Sequence, residues 1–145
     1  TSQYKTNTPS RLRMSTLYGI AALDGNARIS CNGNLSERLA GYFTIWGDGA
    51  GDFAPLAYLF VDEVVQLGKD LGLPSELCDK APSDGMSGKT DEDNLGFTYD
   101  ELKAAATGKL KNEKIQKRIE NMSFKRRLLG IPCFVPSNKN VDDWK

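Results

Sequence analysis

The sequence predicts part of an α/β domain that is mostly helical in this portion, and three observations carry that expectation. Ala27–Cys31 reads as a short strand and runs directly into Asn32-Gly33-Asn34 and then a helix-periodic segment. Strand, glycine turn and helix start in succession form the α/β arrangement that holds a ligand at the carboxyl end of a strand. The remaining apolar periodicity is helical. One strand is too few, because a parallel sheet needs several strands covered on both faces. The chain is long enough, at 145 residues, for one domain with one core.

The elements follow in order. Residues 1–8 are polar and expected to fray. Ser10–Leu23 carries Leu12, Tyr18, Ile20 and Leu23, with Met14 and Leu17 between, which suits a helix with one buried face. Asp24-Gly25-Asn26 turns the chain into the strand. Asn34 is placed to cap a short helix over Leu35–Phe43. Val61–Leu71 is amphipathic on Val61, Val64, Val65 and Leu71. Pro74 takes the favoured first position of another short helix. Thr98-Tyr99-Asp100-Glu101 is a capping box. Asn112–Leu129 reads as one long basic helix closed by Gly130 and Pro132.

Composition removes several classes of function. Nineteen basic residues balance 19 acidic ones, so net charge offers no case for nucleic acid or a membrane surface. No apolar run approaches the roughly 18–20 residues of a membrane span. The start of the chain has no signal-peptide pattern. The three cysteines are widely spaced without metal spacing, which predicts free thiols in a reducing cytoplasm. Histidine is absent, so Ser-His and Cys-His nucleophiles and the usual zinc sites are excluded. Chemistry is left to carboxylates, Lys, Arg, hydroxyls, backbone amides or a hard metal ion.

Two segments stand apart from the helices. Gly41-Tyr-Phe-Thr-Ile-Trp-Gly-Asp-Gly-Ala-Gly-Asp52 and Pro82–Leu102 are dense in Gly, Asp and hydroxyls. Such loops bring backbone N–H groups and carboxylates close to a charged, phosphate-bearing ligand. Ser83-Asp-Gly-Met-Ser-Gly-Lys-Thr90 is not a P-loop, because Ser replaces its first Gly and no strand precedes it. Asp48–Asp52 fails the EF-hand template for want of a third ligand and a closing Glu. Glu37, on the first turn after Asn34, is either a helix-dipole partner or a ligand to Mg²⁺. Arg11 and Arg13 point to different helix faces, so one can hold an anion while the other is solvated. Lys125-Arg126-Arg127 most simply complement a helix C-terminus.

Together these residues resemble the C-terminal half of ammonia-dependent NAD⁺ synthetase. The resemblance runs from Pro9-Ser-Arg-Leu-Arg-Met14, similar to the family's Ala-Arg-x-Arg-Met, through Asn34-Leu-Ser-Glu37, Gly41-Tyr-Phe-Thr44, Gly47-Asp-Gly49 and Asp52. It continues through Leu71-Gly-Leu-Pro74, Lys80-Ala-Pro82, Thr90-Asp-Glu92, Leu95-Gly96 and Tyr99 to the terminal Asp142-Asp-Trp-Lys145. It implies the C-terminal portion of a Rossmann-like, ATP-pyrophosphatase fold (an adenine nucleotide alpha hydrolase). The implied reaction adenylates the carboxyl of deamido-NAD⁺ with ATP and then amidates it with ammonia, in a cytoplasmic homodimer. It further implies that Glu37 binds Mg²⁺, that Arg11, Asp52 and Lys125 contact deamido-NAD⁺, and that Asn32 and Ser83 stand at ATP-contacting positions. The loop over 81–97 would order across the site and exclude water, and 98–145 would supply the C-terminal helices. A different ATP-pyrophosphatase, such as a GMP synthetase, would not explain the Gly47–Asp52 and Thr90–Gly96 segments together.

Departures bear on that implication. Asn32 replaces a frequent Thr, Ile45 and Val61 replace frequent lysines, and Phe124 stands where some relatives have His. Lys69, Lys89 and Arg126 are the candidates to replace the lost cations. The family's Ser-Gly-Gly-x-Asp-Ser pyrophosphate loop does not occur in these 145 residues. The expectation is a C-terminal portion without turnover of its own. The alternative is a nucleotide-binding module that never turns over.

Overall fold

Residues 2–83, 85, 88–128 and 130–140 are described by a computed structural model. Helix α1 spans Ser2–Asp24 and so begins well before the expected Ser10, carrying Pro9 inside it. The polar segment expected to fray is helical from Ser2 onward because the rest of the chain holds it. Thr44 Oγ1 donates to Asn7 Oδ1 (2.8 Å), and Ser10, 4% exposed, is buried against the glycine-rich loop.

The face that α1 buries is not the expected one. Leu12 (64% exposed), Ile20 and Leu23 point to solvent. The inward face carries Ser10, Met14, Tyr18 and Ala21 instead. The predicted strand is also reduced. Ser30 pairs with Phe53 and Ala54 with Cys133 in isolated parallel bridges, so three extended segments lie side by side without forming a ladder among the described residues. Cys31 N–H donates to the Phe53 carbonyl at 2.9 Å and Asp52 N–H to that of Ile29 at 2.7 Å. Gly51 is required at this approach, since a Cβ there would sit 2.6 Å from the Cys31 nitrogen. Cys31, Ala54 and Ala57 form a small core under these segments, with Ile131 and Cys133 packed on it.

The main core gathers around α2, Leu35–Ala40. Asn34 caps it as expected: its Oδ1 accepts from Glu37 N–H (3.0 Å), and Glu37 Oε2 accepts from Asn34 N–H (2.8 Å). The helix ends three residues earlier than predicted, at Gly41 with φ +64°. Helix α3 (Val61–Asp70) and α4 (Ser75–Cys78) follow, with Pro74 one residue before the first turn rather than in it. Helix α5, Asp91–Leu95, opens on a Thr90–Asp93 capping box that the sequence reading passed over. Helix α6, Tyr99–Ala106, opens on the Thr98–Glu101 box as predicted.

The predicted long helix is two helices, α7 (Glu113–Asn121) and α8 (Ser123–Leu128), broken at Met122. Leu35, Leu39, Phe60, Phe97, Tyr99, Leu102 and Ile115 close the core between α2, α6 and α7. Full burial of a side chain such as Leu102 or Ile115 stabilises by about 1.5–3 kcal/mol. The break at Met122 has an electrostatic reason. It folds Lys125 and Arg126 back onto the carbonyls at the C-terminus of α2, which Arg118 already reaches. The terminal Asp142–Lys145 motif, and positions 84, 86 and 87 of the predicted loop, lie outside the described residues.

Candidate functional site

Two clefts open on either side of Glu37. One, of about 510 Å³, lies between α1, the turn after α2 and α5; Asn7, Tyr42, Thr44, Ser83, Asp91 and Lys125 are among its lining residues. The other, of about 350 Å³, lies at the carboxyl end of the Ile29–Cys31 segment and is lined by Met14, Leu17, Ser30, Asn32 and Gly33, among others. Four of the described residues line both clefts: Ser10, Arg13, Glu37 and Asp48.

Ser10, Asp48 and Glu37 are fixed by local hydrogen bonds. Ser10 Oγ donates to Asp48 Oδ1 at 2.7 Å and accepts from Asp48 N–H at 2.9 Å. Thr44 N–H donates to the same Asp48 oxygen at 3.0 Å. The glycine-rich loop is thereby strapped to α1. Gly47 is needed for that fit, because a Cβ there would lie 2.5 Å from Ser10 Oγ. Packing therefore explains Gly47 and Gly51, the glycines the sequence suggested for ligand approach. The loop also holds Trp46 at φ +61°, a conformation that is rare for a bulky residue.

Burial pushes the Glu37 carboxyl up to about 7; the hydrogen bond from Asn34 N–H opposes this, and the charges of Asp91 and Asp48 add to it. Glu37 spends Oε2 on its own capping box, and among the described residues Oε1 accepts nothing. Asp91 is 3% exposed and accepts from the Tyr99 hydroxyl at 3.0 Å. Burial beside Asp91 raises the Tyr99 pKa. No three carboxylates stand close enough to cage a metal ion among the described residues.

The residues proposed from the sequence are distributed unevenly. Glu37 stands at the junction, Ser83 and Lys125 line the larger cleft, and Asn32 lines the smaller. Arg11 and Asp52 line neither. Arg11 Nε donates to the Ile45 carbonyl at 3.2 Å. Asp52 accepts from Ile29 N–H (2.8 Å) and the Tyr18 hydroxyl (3.5 Å). Lys125 reaches the cleft with its ammonium already donating to the Gly41 and Phe43 carbonyls, both at 2.7 Å, and burial lowers its pKa.

The candidates for replacing lost cations do not line either cleft. Lys69 pairs with Asp79 on the α3–α4 corner, and Arg126 caps α2. Val61, one of the departures from the family pattern expected above, packs against the main core. Sequence reasoning left Arg13 undecided, weighed Asp48 only as part of the Asp48–Asp52 turn, and did not single out Asp91 or Ser10. Helical spacing places Ser10, Arg13 and Met14 on neighbouring faces, but only the buried position of Ser10 reveals which face turns inward.

Comparison with known proteins bears on this arrangement. Residues 1–129 match the family model described as NAD synthase. The chain belongs to the NAD synthase family. Within it, the chain is 36% identical over 117 residues to the NH₃-dependent NAD⁺ synthetase of Mesoplasma florum, covering 80% of this chain and 48% of that protein. The solved NMN synthetase of Francisella tularensis superposes with a TM-score of 0.75 at 38% identity, over 91% of this chain and 56% of that one. The NH₃-dependent NAD synthetase of Campylobacter jejuni gives 0.63 at 30% identity, over 92% and 54%. The chain thus spans about half the length of these NAD synthase relatives. No described helix is long and apolar enough to cross a membrane.

Proposed function

We propose that the chain forms the part of an ammonia-dependent NAD⁺ synthetase in which two substrates are brought together. The supporting observation is the pair of clefts sharing a wall at Glu37, Arg13, Asp48 and Ser10. In the proposed reaction a carboxylate oxygen of deamido-NAD⁺ attacks the α-phosphorus of ATP and pyrophosphate leaves. Ammonia then attacks the acyl carbon, AMP leaves with the carboxyl oxygen, and a proton is released. Two substrates meeting at one wall supply the proximity that such a two-step transfer needs. No protein nucleophile is required, in keeping with the absence of histidine.

Glu37 fits a Mg²⁺ site. It offers Oε1, and the nearby Asp48 and Asp91 charges already disfavour its ionisation, a repulsion that a cation relieves. Mg²⁺ commonly takes one or two carboxylates beside substrate phosphates. When bound it would neutralise developing phosphate charge. The chain's own residues bind and orient. Lys125 and Ser83 lie in one cleft and Asn32 in the other, with Lys125 and Arg11 and Asp52 assigned to deamido-NAD⁺ and Asn32 and Ser83 to ATP on family resemblance. The Rossmann-like architecture of the whole protein is part of this reading, supported by the three parallel extended segments. So is a homodimer, for which the exposed Leu12, Ile20 and Leu23 of α1 offer an apolar face. A cytoplasmic setting accords with three free thiols.

A second substrate is favoured by one observation, the higher TM-score to a protein named NMN synthetase. On that reading the amidated carboxylate belongs to the deamido form of NMN. The deciding experiment titrates deamido-NAD⁺ and deamido-NMN into the full chain with Mg²⁺ and then assays amidation with ATP and ammonium. Saturable binding of deamido-NAD⁺ without turnover is expected. Failure of both ligands to bind would overturn the reading. Turnover by these 145 residues would refute the expectation that they have no turnover of their own.

A further inference from the structure

Among the described residues, Arg13 is the one cation on the wall common to both clefts, and it is left open. Its guanidinium makes no hydrogen bond and no ion pair among the described residues. Four other cations nearby are committed to the backbone. Arg11 is held by the Ile45 carbonyl, Lys125 by Gly41 and Phe43, Arg118 by Ala40, and Arg126 by the end of α2. Arg13 is nonetheless well positioned, because α1 is strapped to the loop by the Ser10–Asp48 bonds one turn away. A rigid fork of five donors, open where two clefts meet, suits a phosphate group.

Resting on the proposed reaction, we infer that Arg13 binds the phosphate that joins the two halves of the acyl-adenylate. That phosphate starts as the α-phosphate of ATP and ends in AMP. Its place is the wall that the two clefts share, between the nucleotide and the carboxylate that it activates. Arg13 therefore acts on the phosphoryl group being attacked, a task distinct from the dinucleotide contact expected of Arg11.

The test titrates AMP and adenosine into the full chain and into Arg13→Met, Arg13→Gln and Arg13→Lys, with Lys117→Met as a cation control on the outer face of α7. Wild type is expected to prefer AMP to adenosine, and Arg13→Met to weaken AMP about 10- to 100-fold while leaving adenosine unchanged. Arg13→Lys should retain part of the preference, and Lys117→Met all of it. Thermal midpoints should stay level, since Arg13 holds no part of the fold. AMP binding by Arg13→Met and Arg13→Gln at wild-type strength would overturn the inference. So would equal losses for AMP and adenosine, which would make Arg13 a wall of the cleft and not a phosphate ligand. Wild type that binds AMP but shows no affinity for deamido-NAD⁺ or deamido-NMN would sink the reaction while leaving the phosphate contact standing.

Discussion

The two ends of α2 treat charge in opposite ways. At its C-terminus Arg118, Lys125 and Arg126 all turn inward onto the Arg38, Leu39, Ala40, Gly41 and Phe43 carbonyls. These cations meet the negative end of the helix and the carbonyls it leaves unpaired. At the N-terminus the protein leaves charge unmatched. Glu37 is pushed towards neutrality, Asp48 and Asp91 add to its burden, and Arg13 stays open. Charges that the backbone consumes build the fold, and charges that the protein does not consume are available to a ligand. Lys125 shows how the distinction works. Its sequence position suggests a ligand contact, yet two of its donors hold the turn that follows α2.

The heaviest blow to both ends at once is Leu39→Ala, which empties the buried face of α2 and should cost about 2–5 kcal/mol in a urea titration. Glu37→Gln sharpens the contrast at the N-terminus. The folded-state pKa of Glu37, about 7, lies above its ordinary value of 4.5, so the fold favours the protonated form. Its contribution is full below about pH 4.5 and is lost as pH rises through 7. Gln should therefore match wild type near pH 4 and exceed it by about 3 kcal/mol at pH 8. Equal stabilities at pH 8 would show that the carboxylate is not strained in the empty cleft. Arg118→Met should cost about 1.5–3 kcal/mol by leaving the Ala40 carbonyl without its charged donor. A smaller loss would mean that water replaces Arg118 without penalty. Lys69→Met, on the exposed corner with Asp79, should not move the thermal midpoint measurably, as for most surface ion pairs.

Local signals were the legible part of the fold. Asn34 and Thr98 cap their helices because a side-chain oxygen answers an orphan N–H a few residues away, and no distant contact is needed. Gly41 could end α2 for a similarly local reason, its positive φ. The errors share a cause. Residues 2–8 are helical, Ala27–Cys31 forms a bridge and not a strand, and Asn112–Leu129 breaks at Met122, each because of segments far away in sequence. The outward turn of Leu12, Ile20 and Leu23 belongs with these, since apolar periodicity cannot say which face finds a partner.

The candidate site divides the same way. Glu37, Asn32 and Ser83, singled out by residue type, helix position or family resemblance, do line the clefts. That Arg13 lines the clefts and Arg11 does not was illegible, because residues two apart differ only by rotation about the helix, and rotation is set by burial of Ser10 against Gly47 and Asp48. By itself the sequence determined the family, the caps and the chemical repertoire, since these depend on residue types at short spacing. Tertiary structure alone decided which charges were spent on carbonyls and which were left facing the clefts. Desolvation and hydrogen-bond partners come from segments up to 88 residues apart, and that pairing has no local signature.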